Sequence, residues 1–148
     1  MKVAIASDHR GFAMKHVVID VVRRMGHEVQ DFGCDGTTSV DYPDYAAPAA
    51  RAVANGQCDA AILLDGSGIG MTIVANKVSG VRAAVAHDEM MARRAREHNH
   101  CNALCLGADL LSEAQIRTIV QIFLSTEYQP GRHERRIAKI RQIEAQQC

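Results

Sequence analysis

The run Cys58–Leu64 (CDAAILL) is apolar almost throughout and passes directly into Asp65-Gly66-Ser67-Gly68-Ile69-Gly70. A short apolar run bounded by turn residues reads as a strand buried on both faces, and such a strand needs helices above and below its sheet. The alternating glycines then let the backbone turn tightly at the strand's carboxyl end. Such a segment suits a layered α/β domain with buried parallel strands.

The same unit recurs along the chain. Lys2–Ser7 (KVAIAS) reads as a buried strand, followed by the loop Asp8-His9-Arg10-Gly11. Val18, Val21, Val22 and Met25 then repeat at helical spacing, and Gly26 is placed to end that helix. His27–Phe32 reads as a second strand, with a polar loop through Asp41. Pro43 opens an Ala-rich helix that stops near Asn55-Gly56. Val81–Ala86 and Asn102–Leu106 are the fourth and fifth strands, with a helix from about Asp88 to Glu97 between them. Ser112 and Gln115 have capping-box spacing, with Ile116, Ile119, Val120 and Phe123 as the buried stripe behind them. A polar, basic helix starts at about residue 131. The expectation is a Rossmann-like three-layer α/β/α sandwich on a five-stranded parallel sheet, with residues 1–148 as one domain.

Charge and cysteine usage bound the partners. Lys plus Arg and Asp plus Glu are 17 each, so the net charge is zero and gives no support for nucleic-acid or membrane attraction. No apolar run approaches membrane-spanning length, and the chain enters a strand at once, so no leader is expected. The five cysteines, Cys34, Cys58, Cys101, Cys105 and Cys148, match no disulfide framework, which suits a reducing cytoplasm.

In open α/β sheets ligands bind beyond the carboxyl ends of the strands. Asp8–Gly11, Asp65–Gly70 and His87-Asp88 all fall there. The glycine loop can aim backbone N–H groups at a phosphate or a developing oxyanion, with the following helix adding its dipole. The bland alternative is a tight turn with no ligand. No Gly-Lys-Ser/Thr follows, so it is not a P-loop, and Met71 stands where a dinucleotide fingerprint needs glycine. Asp8-His9 suits shared proton transfer or substrate binding, though Asp8 could merely cap the next helix. His98-Asn99 ends an Arg-rich helix and could be a simple cap. Arg132 and Arg136, four apart, would share one helix face suited to a phosphate monoester, or be part of a solvated basic surface. Tyr42-Pro43 by itself is a helix entry. His98, His100, Cys101 and Cys105 lack the spacing of a zinc site.

Taken together, six segments resemble one family from end to end. They are Ser7-Asp8-His9-Arg10-Gly11-Phe12, Asp41-Tyr42-Pro43, Gly66-Ser67-Gly68-Ile69-Gly70, Ala75-Asn76-Lys77, Arg96-Glu97-His98-Asn99 and Gly131-Arg132-His133. Their order and spacing are similar to those of the ribose-5-phosphate isomerase B and galactose-6-phosphate isomerase family. The resemblance implies an aldose–ketose isomerase of a sugar phosphate, working through a cis-enediolate without metal or cofactor. It implies that His98 opens the sugar ring with help from Asp8. The backbone of Gly66, Gly68, Ile69 and Gly70, with Ser67 and Asn99, would stabilise the enediolate. His9, Arg132 and Arg136 would hold the phosphate, and Tyr42 would line the pocket. A homodimer, or a dimer of dimers, with the pocket between subunits is implied as well.

Two positions depart from the family pattern. The usual base is a cysteine just before the glycine loop, where this chain has Asp65. Another branch uses a glutamate one residue after the loop, where this chain has Met71. A carboxylate in a low-polarity site can be tuned to act as the base, so Asp65 is the candidate. Asp109 stands where the family often has an arginine beside the phosphate, and an acid facing the pocket would repel a dianion. Ribose 5-phosphate is the first substrate to expect, with a tetrose or hexose phosphate as the alternative. The rival readings are a catalytically silent subunit that needs a partner chain and a nucleotide-binding module.

Overall fold

The computed structural model describes residues 1–147; Cys148 lies outside the described residues. Five strands alternate with helices: β1 (Lys2–Ser7), α1 (Phe12–Arg24), β2 (Glu28–Asp31), α2 (Pro43–Ala54), β3 (Ala60–Asp65), α3 (Ile69–Ala75), β4 (Ala83–Val85), α4 (Glu89–Glu97), β5 (Ala103–Gly107), α5 (Glu113–Ser125) and α6 (Gly131–Ala145). All strand pairings are parallel, in the order β2-β1-β3-β5-β4. The expected three-layer sandwich is the observed one. No helix is long and apolar enough to cross a membrane among the described residues.

The period of two along each strand sorts the core into two unlike layers. Val3, Ile5, Ile62, Leu64, Leu104 and Leu106 face α1, α4 and α5, where Ile116, Ile119 and Phe123 fill the space. Ala4, Ala6, Ala61, Leu63, Ala103 and Cys105 face α2 and α3. That second layer is built of small residues on both sides, with Ala46, Ala49 and Ala50 of α2 fully buried. Small side chains let a helix sit close to the sheet, which explains the alanine content of α2.

Helix ends follow the sequence signals. Ser112 and Gln115 form a complete capping box on α5, and Asp88 caps α4 by accepting the Met91 N–H at 2.8 Å. Gly26, at φ +83°, closes α1 with its N–H donating to the Arg23 carbonyl at 2.9 Å. Both edge strands are shorter than the segments read from the sequence, His27–Phe32 and Val81–Ala86. β4 pairs with β5 over three residues only, and β2 pairs with β1 over four.

The topology also fixes where a ligand can sit. The chain leaves β1 toward β2 on one side and later returns to β3 on the other. The carboxyl ends of β1 and β3 therefore flank the switch-point crevice. Asp8 follows β1 there, and Asp65 ends β3 there.

Candidate active site

The loops after β1 and β3 meet tightly in this crevice. Asp8 N–H donates to the Leu64 carbonyl at 3.1 Å. Asp8 Oδ1 accepts from the N–H groups of Arg10 (2.9 Å) and Gly11 (3.1 Å), which shapes the 8–11 turn. His9 Nδ1 accepts the Val40 N–H at 3.2 Å, so the neutral ring carries its proton on Nε2 as a donor.

Asp65 is 5 % exposed and lies under its own loop. Its Oδ1 accepts the Gly68 N–H, and its Oδ2 accepts the Met71 N–H at 3.2 Å. Burial pushes its pKa above the usual carboxylate range; these backbone donors pull the other way, and nearby Asp8 adds a further upward push. A carboxylate oxygen that accepts a backbone N–H still keeps lone-pair capacity for a proton. Gly68 sits at φ +81°, a region glycine enters freely, and a Cβ there would stand 2.8 Å from Val85 Cγ2. Gly70 lets the Tyr42 ring close over the loop, since a Cβ would meet that ring at 2.8 Å and Asp65 Oδ2 at 3.0 Å.

The expected cradle of free loop N–H groups is therefore partly filled by the protein itself. Asp65 takes the Gly68 N–H, with that of Met71 just beyond the loop, and the Ile69 N–H donates to Ser67 Oγ at 3.2 Å. No acceptor for the Gly70 N–H is found among the described residues. The helix behind the loop has only seven residues, so its dipole adds little. Asp109 also differs from expectation. Its carboxylate is bound by Arg10, with Nη2 at 2.5 Å, so it does not stand as an unpaired acid toward an incoming anion.

The remaining candidates lie elsewhere in the chain. His98 ends α4, and Asn99 follows it just before β5 begins, which puts both at the amino edge of the sheet. The backbone carbonyl of Asn99 accepts from Arg82 Nε at 3.2 Å, next to the start of β4. Arg132 lines an open cleft with His98, Gln129, Gly131 and His133. Arg136 follows one turn along α6. The six residues of β3 separate the two edges, roughly 17 Å at about 3.3 Å per step. One chain thus keeps Asp8, His9, Tyr42, Asp65, Gly66, Ser67, Gly68, Ile69 and Gly70 on one edge, and His98, Asn99, Arg132 and Arg136 on the other.

Two residues of interest were not assigned from the sequence. His133 stacks on His98 at 4.3 Å between ring centroids. Its segment is part of the motif set, yet nothing in spacing tells that a ring at 133 meets one at 98. Arg10 meets Asp109, whose strands β1 and β5 are not even neighbours in the sheet. Cys101 and Cys105 are buried thiols pushed up to about 11 and about 12 by burial, unsuited to act as thiolates.

The parallel α/β sheet thus carries two acids at its switch point, able to move protons, and an imidazole–arginine group at its opposite edge, able to bind an anion. A family model described as Ribose/Galactose Isomerase matches residues 3–140. Ribose-5-phosphate isomerase B of Escherichia coli is 38% identical over 143 residues, 97% of this chain and 96% of that protein. D-erythrulose-4-phosphate isomerase of Pectobacterium atrosepticum is 36% identical over 148 residues, 99% of this chain and 97% of that one. The structure of Clostridium thermocellum ribose-5-phosphate isomerase B superposes with a TM-score of 0.98 at 44% identity, covering 100% of both chains. The chain belongs to the ribose/galactose isomerase family, and is thereby an isomerase.

Proposed function

We propose that this protein interconverts an aldose phosphate and a ketose phosphate, ribose 5-phosphate and ribulose 5-phosphate in the first place, through a cis-enediolate. Asp65 takes the proton from C2 of the opened aldose and returns it to C1 of the enediolate. Ser67, Asn99 and the backbone at Gly66, Gly68, Ile69 and Gly70 stabilise the enediolate oxygen, the N–H groups of Gly66 and Gly70 being donors with no acceptor among the described residues. His98, with Asp8, opens the ring by moving a proton from the anomeric hydroxyl to the ring oxygen. His9, Arg132 and Arg136 hold the phosphate, and Tyr42 covers the sugar.

The observation that carries this reading is the Asp65 carboxylate: buried, raised in pKa, and set under Tyr42 at the switch point. A general base works best when its pKa approaches the operating pH, and burial moves Asp65 in that direction.

The active unit is a homodimer, or a pair of them, with Asp65 of one protomer facing His98, Arg132 and Arg136 of its partner. Two features support this. The two residue groups sit on opposite edges of one sheet, too far apart to act on one pentose. α6 also buries His133 and Ile137, yet leaves Ile140 and Ile143 43% and 57% exposed one and two turns on. Apolar residues exposed along a helix that carries two of the arginines suit a partner surface. The buried, unpaired thiols Cys34, Cys58, Cys101 and Cys105 support a cytoplasmic setting.

A second reading has an observation of its own. Both Asp65 oxygens cap the loop, which favours a structural aspartate in a subunit that is silent alone. An isomerase assay of the purified chain and its Asp65→Asn variant separates the two. The substrates are ribose 5-phosphate, erythrose 4-phosphate, allose 6-phosphate and galactose 6-phosphate. Turnover that falls by about 10²-fold or more in the variant, with the fold retained, is the expected result. No turnover by the wild-type chain favours the silent subunit.

A further inference from the structure

The loops that follow the carboxyl ends of the five strands contain a single Lys or Arg between them, and it is Arg10. Lys15, one turn into α1, is 1% exposed and committed to Asp31 and the Cys34 carbonyl. Arg10 is by contrast 58% exposed in its side chain. It reaches across Gly66, where Nε donates to Asp109 Oδ2 at 2.7 Å and Nη2 lies 2.5 Å from the same oxygen. The crossing exists because residue 66 has no side chain: a Cβ there would stand 2.8 Å from Asp109 Oδ2 and 3.0 Å from Arg10 Nε. From the other side, the Arg10 N–H is held by Asp8 Oδ1 at 2.9 Å.

An exposed ion pair of this kind contributes little to stability. Its placement is another matter. The crevice holds two buried acids, Asp8 and Asp65, which repel an approaching dianion. A cation fixed at the rim of the glycine loop offsets that repulsion. Asp109 engages two of the guanidinium nitrogens through one oxygen, and Nη1 makes no bond among the described residues. The neighbouring residue, His9, has Nε2 left as a donor. A fork of donors on a delocalised charge, beside an imidazole N–H, matches the oxygens of a phosphate monoester.

We propose that Arg10, aimed over Gly66 by Asp109, is a further substrate-binding residue that contacts the substrate's phosphate alongside His9. This rests on the isomerase reading for the substrate, but the anion contact can be tested apart from it. The probe is inorganic phosphate, titrated calorimetrically into the wild-type chain and into Arg10→Gln and Asp109→Asn, with melting temperatures recorded for each. KM and kcat for ribose 5-phosphate are measured in parallel.

Arg10→Gln is expected to weaken phosphate binding about tenfold, the scale of one lost charge-assisted hydrogen bond. KM should rise in step, with a smaller change in kcat. Asp109→Asn, which keeps the guanidinium, is expected to bind phosphate within a few fold of wild type. Unchanged phosphate affinity in a folded Arg10→Gln chain overturns the proposal. So does a loss of binding that is matched by a fall in melting temperature in both variants, since that marks the pair as scaffolding only. If no sugar phosphate is turned over, the titration still decides the question, and it is the isomerase reading that fails.

Discussion

The imidazole of His98 lies flat on that of His133, with ring centroids 4.3 Å apart and planes within 15°. His98 ends α4 and His133 sits in the first turn of α6, so the stack ties the start of α6 to the end of α4. The backbone repeats the tie, with the Gln129 N–H donating to the Glu97 carbonyl at 3.1 Å. Arg132 is thereby held in the same cleft as His98. In the proposed mechanism, ring opening and phosphate binding then depend on one local join.

A chemical distinction follows from His98. Ribose 5-phosphate closes into a furanose and must be opened, whereas erythrose 4-phosphate carries its phosphate on the oxygen needed for closure. His98→Gln is expected to lower kcat/KM for ribose 5-phosphate by about 10²-fold, the scale of a lost acid–base group. Turnover of erythrose 4-phosphate by the same variant should fall far less. His133→Ala should show the same selectivity with a smaller loss. Steady-state kinetics on both substrates check this; equal losses on both would remove His98 from ring opening.

The acid limb of stability has named sources. Burial lowers the pKa of His133 below 6.5, with His98, Arg132 and Arg136 adding to the effect. His100 is lowered by burial and by Arg82, Arg96 and Arg141, against a weaker opposing push from Glu134. Its Nδ1 is buried without a partner, and its ring stacks on Tyr128 at 4.1 Å. The folded state prefers both rings neutral. Their contribution is therefore present above the unfolded value and lost as pH falls below 6.5 through the folded values. Melting temperature should drop from about pH 7 to about pH 5, and His100→Gln with His133→Gln should flatten the slope. A slope unchanged in the double variant would assign it to other groups.

Asp65 predicts a pH–rate profile. As the proposed base Asp65 must be ionised, and its pKa lies above the ordinary carboxylate value of 3.8 because of burial. The rate should fall as pH drops through that raised value, and Asp65→Asn should lose the reaction itself. In stability the sign is reversed. The raised pKa favours the protonated form in the folded state, so this group's contribution is present at low pH and lost as pH rises through the folded value.

Much of this was legible in the sequence. Apolar runs ending in glycine-, aspartate- or histidine-containing turns marked four of the five strands, β2 (EVQD) being the polar exception, and the 3.6-residue period marked α1 and α5. Boundaries shifted where pairing rather than hydrophobicity decides. Val81–Ala86 is apolar through most of its length, yet only Ala83–Val85 has a neighbour to pair with. The candidate site residues were visible as motif segments. Their division between two edges was not, because it depends on α4 running back along the sheet before His98. The Asp65 clasp on Gly68 and Met71 was likewise hidden, since a loop's N–H directions are not written in its residue types.

The close approach of β5 to the glycine loop gives a packing test. A Cβ at Gly107 would stand 2.8 Å from the Ser67 carbonyl oxygen and 2.9 Å from its carbonyl carbon. Backbone cannot yield as a side-chain tip can. Gly107→Ala should cost about 1–3 kcal/mol by chemical denaturation. It should also lower activity by displacing Ser67. Full activity and stability would mean the loop relaxes freely.

In the proposed dimer, each active site draws Asp65 from one chain and His98 from another. Co-expression of differently tagged Asp65→Asn and His98→Gln chains, with isolation of the mixed species, tests this directly. In a mixed dimer one site carries both lesions and the other carries neither. Each variant alone should be nearly inactive. A randomly mixed preparation should regain about a quarter of wild-type turnover, since about half the dimers hold one intact site of two. A mixture no more active than its parents would contradict the shared site and place the whole chemistry within one chain.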